Sequence, residues 1–300
     1  MRIQTMIALR LTLLLFTIAL CAAGQTAPPT TDIFLVDVLK RGGQLALGTP
    51  INITFRPGYD NQPSFTPDGK SLLFTSQREG EQTDIYRYEL ATRFTAPITK
   101  TAESEYSPTV TPDEKAFSVI RVEADKTQRL WQFPLAGGAP ALVLTNIKPV
   151  GYHVWLDANT LALFVLGQPN TLQLVDAKTE KAEVLAQSIG RALHRIPGQP
   201  SQFSFVHRAD KEWWVKAYDL KTRQTTNLIK TLPSSEDCVW LPNSTLLMAQ
   251  GSKLFKWQRG KDADWQLITD LAEAGVTGIT RLAVNAKGDK LALVAQPLVK

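Results

Sequence analysis

A unit of about 40 residues recurs along most of this chain, and it constrains the fold more than any other feature. The clearest copy begins at Asp60 and contains QPSFTPDGKSLLFTSQ (Gln62–Gln77), TDIYRYEL (Thr83–Leu90) and TAPITKT (Thr95–Thr101). The next reads YSPTVTPDEKAFSVIR (Tyr106–Arg121), RLWQFPL (Arg129–Leu135) and APALVLT (Ala139–Thr145). Each copy holds short alternating apolar segments separated by turn residues, the signature of strands on a pleated sheet. A period of about 40 to 45 residues with four strands per unit is that of a β-propeller blade.

Later copies are degenerate but keep the phase. The third reads HVWLDANTLALFVLG (His153–Gly167), TLQLVDA and AEVLAQS; the fourth QFSFVHR (Gln202–Arg208), EWWVKAYDL and TTNLIKT; the fifth CVWLPNSTLLMAQ (Cys238–Gln250), KLFKWQRG and WQLITDL. The sixth, RLAVNAKGDKLALVAQ (Arg281–Gln296), supplies only two strands. The other two are expected from the N-terminus: DIFLVDV (Asp32–Val38) matches DIYRYEL, and GTPINIT (Gly48–Thr54) matches TAPITKT. The expected fold is all-β: a six-bladed propeller of four-stranded antiparallel blades, its last blade closed by the N-terminal hairpin. Closure removes the two strand edges that an open ring would expose.

The turns agree. Pro67-Asp68-Gly69, Pro112-Asp113-Glu114, Pro242-Asn243-Ser244 and Ala286-Lys287-Gly288 fall between first and second strands, with residues suited to tight turns. No sustained 3.6-residue apolar period follows the leader, although Asp270–Gly275 could form one helical turn.

TPDGKSLLFTSQREGEQTDIYRYEL resembles the WD40-like repeat of the TolB-type six-bladed propellers. The specific parts are the Thr-Pro-Asp-Gly-Lys turn, the apolar run ending in Phe74-Thr75-Ser76 and the Asp84-Ile85-Tyr86 strand. The resemblance covers about residues 32–300, strongest in the first two blades. It implies a binding scaffold of the bacterial envelope. TolB proteins also carry an α/β domain before the propeller, and the span ahead of blade one is too short for it, so the resemblance is to the propeller half alone.

Residues 1–24 read as a signal peptide: Arg2 and Arg10 give a positive start, Leu11–Leu20 is almost wholly apolar, and Ala22-Ala23-Gly24 is a small-residue cleavage site. Residues 25–31 then form a flexible lead-in, and residues 32–300 a single propeller. The expected location is periplasmic or secreted, without a transmembrane anchor. Cys21 keeps an outer-membrane lipoprotein as the less favoured alternative, because Leu20 stands where a small residue is usual. Once the leader is removed, Cys238 is the one cysteine, so no internal disulfide is available and packing must hold the fold. The formal net charge of +5 is spread among alternating signs with no run of four basic residues, which argues against a nucleic-acid partner.

Catalytic motifs are missing from the sequence. It has no G-x-S-x-G elbow, no H-E-x-x-H, no P-loop, no acidic calcium loop and no metal-spaced Cys/His cluster. Similar propellers cap prolyl-oligopeptidase-type peptidases, but these 300 residues hold no hydrolase domain beside the propeller. Aligning the blades does bring one set of residues together. Upstream of Phe65, Val110, Trp155, Trp240 and Val284 lie Asn61 and Gln62, Tyr106 and Ser107, Tyr152 and His153, Asp237 and Cys238, Thr280 and Arg281, with His194 and Arg195 near the equivalent place in blade four. Innermost strands line the central channel, so these positions form a ring at its mouth. The candidate binding residues are Gln62, Tyr106, Tyr152, His153, His194, Asp237 and Arg281. No catalytic residue, metal ligand or cofactor is assigned. The expected function is that of a non-enzymatic exported scaffold, a monomer binding an envelope protein or peptide at the channel mouth or a blade face. The alternatives are a hydrolase or lyase acting on a lactone or sugar, with His153, His194 and Asp237 as its metal or hydrolytic site, and a small-ligand sensor.

Overall fold

The structure, a computed structural model, describes residues 29–209 and 212–296. The signal-peptide reading and Cys21 lie outside them. Alternating sequence becomes strand throughout, and no helix forms among the described residues. The Asp270–Gly275 stretch is a turn, with Gly275 N–H donating to the Ala272 carbonyl at 2.9 Å.

Six antiparallel sheets follow one another as blades. Their innermost strands are Asp60–Phe65, Ser104–Val110, Val150–Trp155, Ile189–Arg195, Cys238–Trp240 and Thr277–Val284. The second strands are buried on both faces, as Ser71–Ser76 shows with all of its residues buried. That double burial explains why SLLFTS and LALFV read as nearly continuous apolar runs rather than as alternations. The predicted turns form: Thr66 Oγ1 donates to Asp68 Oδ1 at 2.6 Å, and Gly69, Glu114, Ser244 and Gly288 each take a positive φ at the same place in their blades.

The core is divided. Six apolar clusters lie one at each blade-to-blade interface. Trp155 and Trp240 belong to them, and each donates its indole N–H at 2.9 Å to a serine on the second strand of the preceding blade, Ser118 and Ser204.

Closure takes place as the sequence predicts. Asp32–Arg41 pairs with Lys290–Gln296 from Asp32↔Ala295 to Asp37↔Lys290 and forms the third strand of blade six. The fourth position is shared by two short strands, Gln44–Leu47 and Ile51–Asn52, on different halves of that strand. Thr31 is already fixed, although it falls in the expected lead-in: it is buried, and its hydroxyl donates to the Asp60 carbonyl at 2.9 Å. At the next interface Thr83 donates to the Glu105 carbonyl at 3.0 Å in the same way. The Thr-Asp-Ile triplets at 31–33 and 83–85 are thus one interblade staple used twice. In each, a threonine two residues past the outermost strand, Thr54 or Thr99, accepts the isoleucine N–H, at 3.0 and 2.8 Å.

Candidate functional site

The ring at the channel mouth is assembled by bulges. Pairing of the first and second strands slips between Asn61 and Ser64, Tyr106 and Thr109, Val150 and Tyr152, Ile189 and Leu193, and Thr277 and Arg281. A bulge bends its strand and re-aims the neighbouring side chains. Gln62 and Ser107 take φ of +55° and +54° there, backbone that non-glycine residues seldom adopt.

Every blade then contributes to a continuous network. Gln62 Oε1 accepts from the Thr75 hydroxyl and the Ser107 N–H, both at 2.9 Å, while its amide bonds the Tyr152 hydroxyl. Arg281 donates to Tyr152 Oη at 3.1 Å and to Asp237 Oδ1 at 2.8 Å. Arg191 grips Asp237 with two donors, the Nε contact being 2.9 Å, and pairs with Glu236 at 3.0 Å. Arg208 extends the chain of charges to Glu236 at 3.4 Å. Gly190 lets Glu236 approach, because a Cβ there would lie 2.6 Å from Glu236 Oε2 and 3.1 Å from Val206 Cβ. Bidentate guanidinium–carboxylate pairs are short, directional and strong, so the mouth is rigid.

Of the seven candidates, Gln62, Tyr152, His153, His194, Asp237 and Arg281 line one channel cavity of about 290 Å³. Tyr106 does not. It packs between blades two and three, and its neighbour Ser107 lines the channel instead. Arg191 and Glu236 complete the ring and were not among the candidates. Arg191 sits three positions before the His194 of the alignment because its strand carries a longer irregularity. Glu236 precedes its strand and carries no repeat signal at all.

Burial sets the protonation states. It pushes His153 and His194 down to about 4, so both imidazoles are neutral at pH 7. The His194 ring is further engaged by the Cys238 backbone. Burial raises the Cys238 thiol and keeps it protonated. It also raises Asp237 to about 7, against the pull of Arg191, and Arg281 at 2.8 Å pulls in the same sense as Arg191. The phenols of Tyr59 and Tyr152 are raised by burial as well.

The two histidines do not converge. His153 Nε2 lies 2.7 Å from Ser118 Oγ toward blade two, while His194 is one position out of step and turns to blade five. Asp237 is occupied by two guanidiniums. Among the described residues no three His, Cys, Asp or Glu side chains are placed to hold a metal ion.

No family model matches the chain, and no curated protein matches it in sequence. Solved structures do match in fold. A putative TolB from Agrobacterium tumefaciens superposes with a TM-score of 0.70 at 14% identity, covering 90% of this chain and 99% of that one. TolB from Acinetobacter baumannii gives 0.57 at 15% identity, over 89% of this chain and 64% of the other. An oligogalacturonate lyase from Vibrio parahaemolyticus gives 0.52 at 13% identity, over 89% and 98%. At such identities the likeness is one of fold: the molecule is a six-bladed β-propeller similar to the TolB proteins.

Proposed function

We propose that this chain is an exported, non-enzymatic propeller scaffold of the bacterial envelope that holds a protein or peptide partner at the channel mouth. The single observation that carries the reading is the pre-organised ring of Tyr152, Arg191 and Arg281, held in place by Asp237, Glu236 and Gln62. Tyrosine and arginine are the side chains most often found at the energetic centre of an interface. A cluster already fixed by its neighbours loses little further freedom when a partner lands on it. The state of the channel groups supports the same reading. Its thiol is protonated, its aspartate is engaged by Arg191 and Arg281, and its one serine–imidazole contact, Ser118 with His153, is buried with the hydroxyl also accepting the Trp155 indole N–H. In the described residues no helix is long and apolar enough to cross a membrane.

The test compares envelope proteins retained on immobilised wild-type protein with those retained on Arg281→Ala and Tyr152→Ala. A partner held by the wild type and lost from both variants supports the proposal. Identical recovery on all three, or no partner on any, counts against it.

The small-ligand sensor has one observation in its favour. His153 Nδ1 and Ser107 Oγ are buried, line the channel and find no protein partner. A thermal shift with one class of small polar ligand, without turnover, would move the reading that way. The lyase or hydrolase alternative would require melting that changes when a chelator removes a bound divalent ion.

A further inference from the structure

The outer part of the interface between blades six and one is left open, and the reason is topological. In blade six the fourth strand position is split. Gln44–Leu47 pairs with the far half of Asp32–Arg41 and turns Leu45 and Leu47 toward blade five, where they pack with Ile268. Ile51–Asn52 pairs with Leu35 and Phe34 on the near half. The link between the two crosses Asp37 closely: the Gly48 N–H donates to the Asp37 carbonyl at 2.8 Å, and a Cβ on Gly48 would lie 3.1 Å from Asp37 Cβ. Blade one therefore faces a thin edge. The result is a groove of about 580 Å³ floored by Leu35, Ile51, Ile53, Tyr88 and Leu90. Ile51 is 53% exposed although it lies in a strand.

The rim of this groove carries unbalanced charge. Its two carboxylates are neutralised: Asp37 pairs with Lys290, and Glu89 with Arg87 at 2.8 Å and with the Ser71 hydroxyl at 2.7 Å. Lys70 and Arg93 line the same groove, are exposed, and form no ion pair among the described residues. Lys70 also attracts the nearby Asp68 carboxylate, but neither cation is held in an ion pair, and an apolar floor beside two such exposed cations is complementary to a segment that carries an apolar side chain next to carboxylates.

We propose that this groove docks a short acidic peptide segment of a partner protein, with an apolar side chain seated over Ile51 and Tyr88 and carboxylates against Lys70 and Arg93. The groove opens beside the Gly69-Lys70 turn, where first strands end, whereas the ring of Gln62, Tyr152 and Asp237 lies where first strands begin. The two surfaces are on opposite faces of the disc, so this proposal stands without the channel reading.

Fluorescence anisotropy tests it with two labelled peptides of equal length. One carries Phe flanked by Asp and Glu; the other has Lys at the acidic positions. Both are titrated with the whole protein, with Ile51→Glu, and with the double variant Lys70→Glu/Arg93→Glu. All three changed residues are exposed, and unchanged melting curves confirm that the variants fold. The wild type is expected to prefer the acidic peptide, Ile51→Glu to weaken it by about tenfold or more, and the double variant to prefer the basic peptide. Equal binding of both peptides by the wild type, or acidic-peptide binding unchanged in Ile51→Glu, overturns the proposal. A concentration-dependent dimer in sedimentation that Ile51→Glu abolishes also overturns it, since the occupant would then be a second copy of this chain.

Discussion

Glu105 is a fully buried carboxyl, held by the hydroxyls of Thr99 and Thr101 with Asp84 nearby. Burial raises its pKa to about 7, from an ordinary 4.5. The folded state therefore binds this proton more tightly than the unfolded chain does. Its contribution is complete below about pH 4.5 and is lost as the pH rises through 7, up to about 3 kcal/mol. His153 and His194 act in the opposite sense below about pH 6.5, so the test is a difference: in urea denaturation the stability of the wild type relative to Glu105→Gln should fall from pH 5 to pH 8. Ser118 offers a second test. It meets both His153 and Trp155, whereas Ser204 receives the indole of Trp240 alone among side chains. Ser118→Ala should cost about 1–3 kcal/mol and more than Ser204→Ala, because it strands two buried groups rather than one. The channel ring was legible at this scale because equal repeats bring one residue per blade to the same height. Which neighbour faces inward was not. A bulge shifts the side-chain phase by one position, and that shift separates Tyr106 from Ser107 and turns His153 and His194 to opposite neighbours.

At the scale of elements, the Thr-Asp-Ile staple ties the ring-closing interface in the manner of the interface beside it. Asp32 accepts from Asn52 at 2.8 Å and from Thr54 at 3.1 Å, and Asp84 sits in the corresponding place beside Thr99. Thr54→Val and Thr99→Val should each lower stability by about 1–2 kcal/mol, with similar shifts in the urea midpoint, if closure is as firm as an ordinary interface. A far smaller effect at Thr54 would mark the seam as the weak point of the ring. The strands themselves were readable from the spacing of turns and apolar runs. The outermost strand of blade six was readable only in outline. GTPINIT aligns with TAPITKT as text, but Thr54, not Asn52, takes the role of Thr99. Leu35 pairs with Ile51 where the equivalent Arg87 of blade one pairs with Ala96, a frame two residues away from the textual match that only the register of the folded chain reveals.

For the whole molecule, blade six exists only when residues from both ends of the chain meet. A variant beginning after Thr54 would leave the edge of Lys290–Gln296 unpaired, with Ala292 and Val294 uncovered on it. It should lose its single cooperative urea transition and elute as aggregate in size-exclusion chromatography, while the full chain unfolds in one step. The pairing of Asp32 with Ala295 also imposes an order in time. Asp32–Arg41 can pair early with Gln44–Leu47 and Ile51–Asn52, but its partner on the other side, Lys290–Gln296, is made much later. During synthesis the earlier blades can form their own interfaces, while the ring stays open until these two strands meet. Forming contacts between such distant parts of a chain is slow. A chain built this way stays unlocked until both halves of its sixth blade are present.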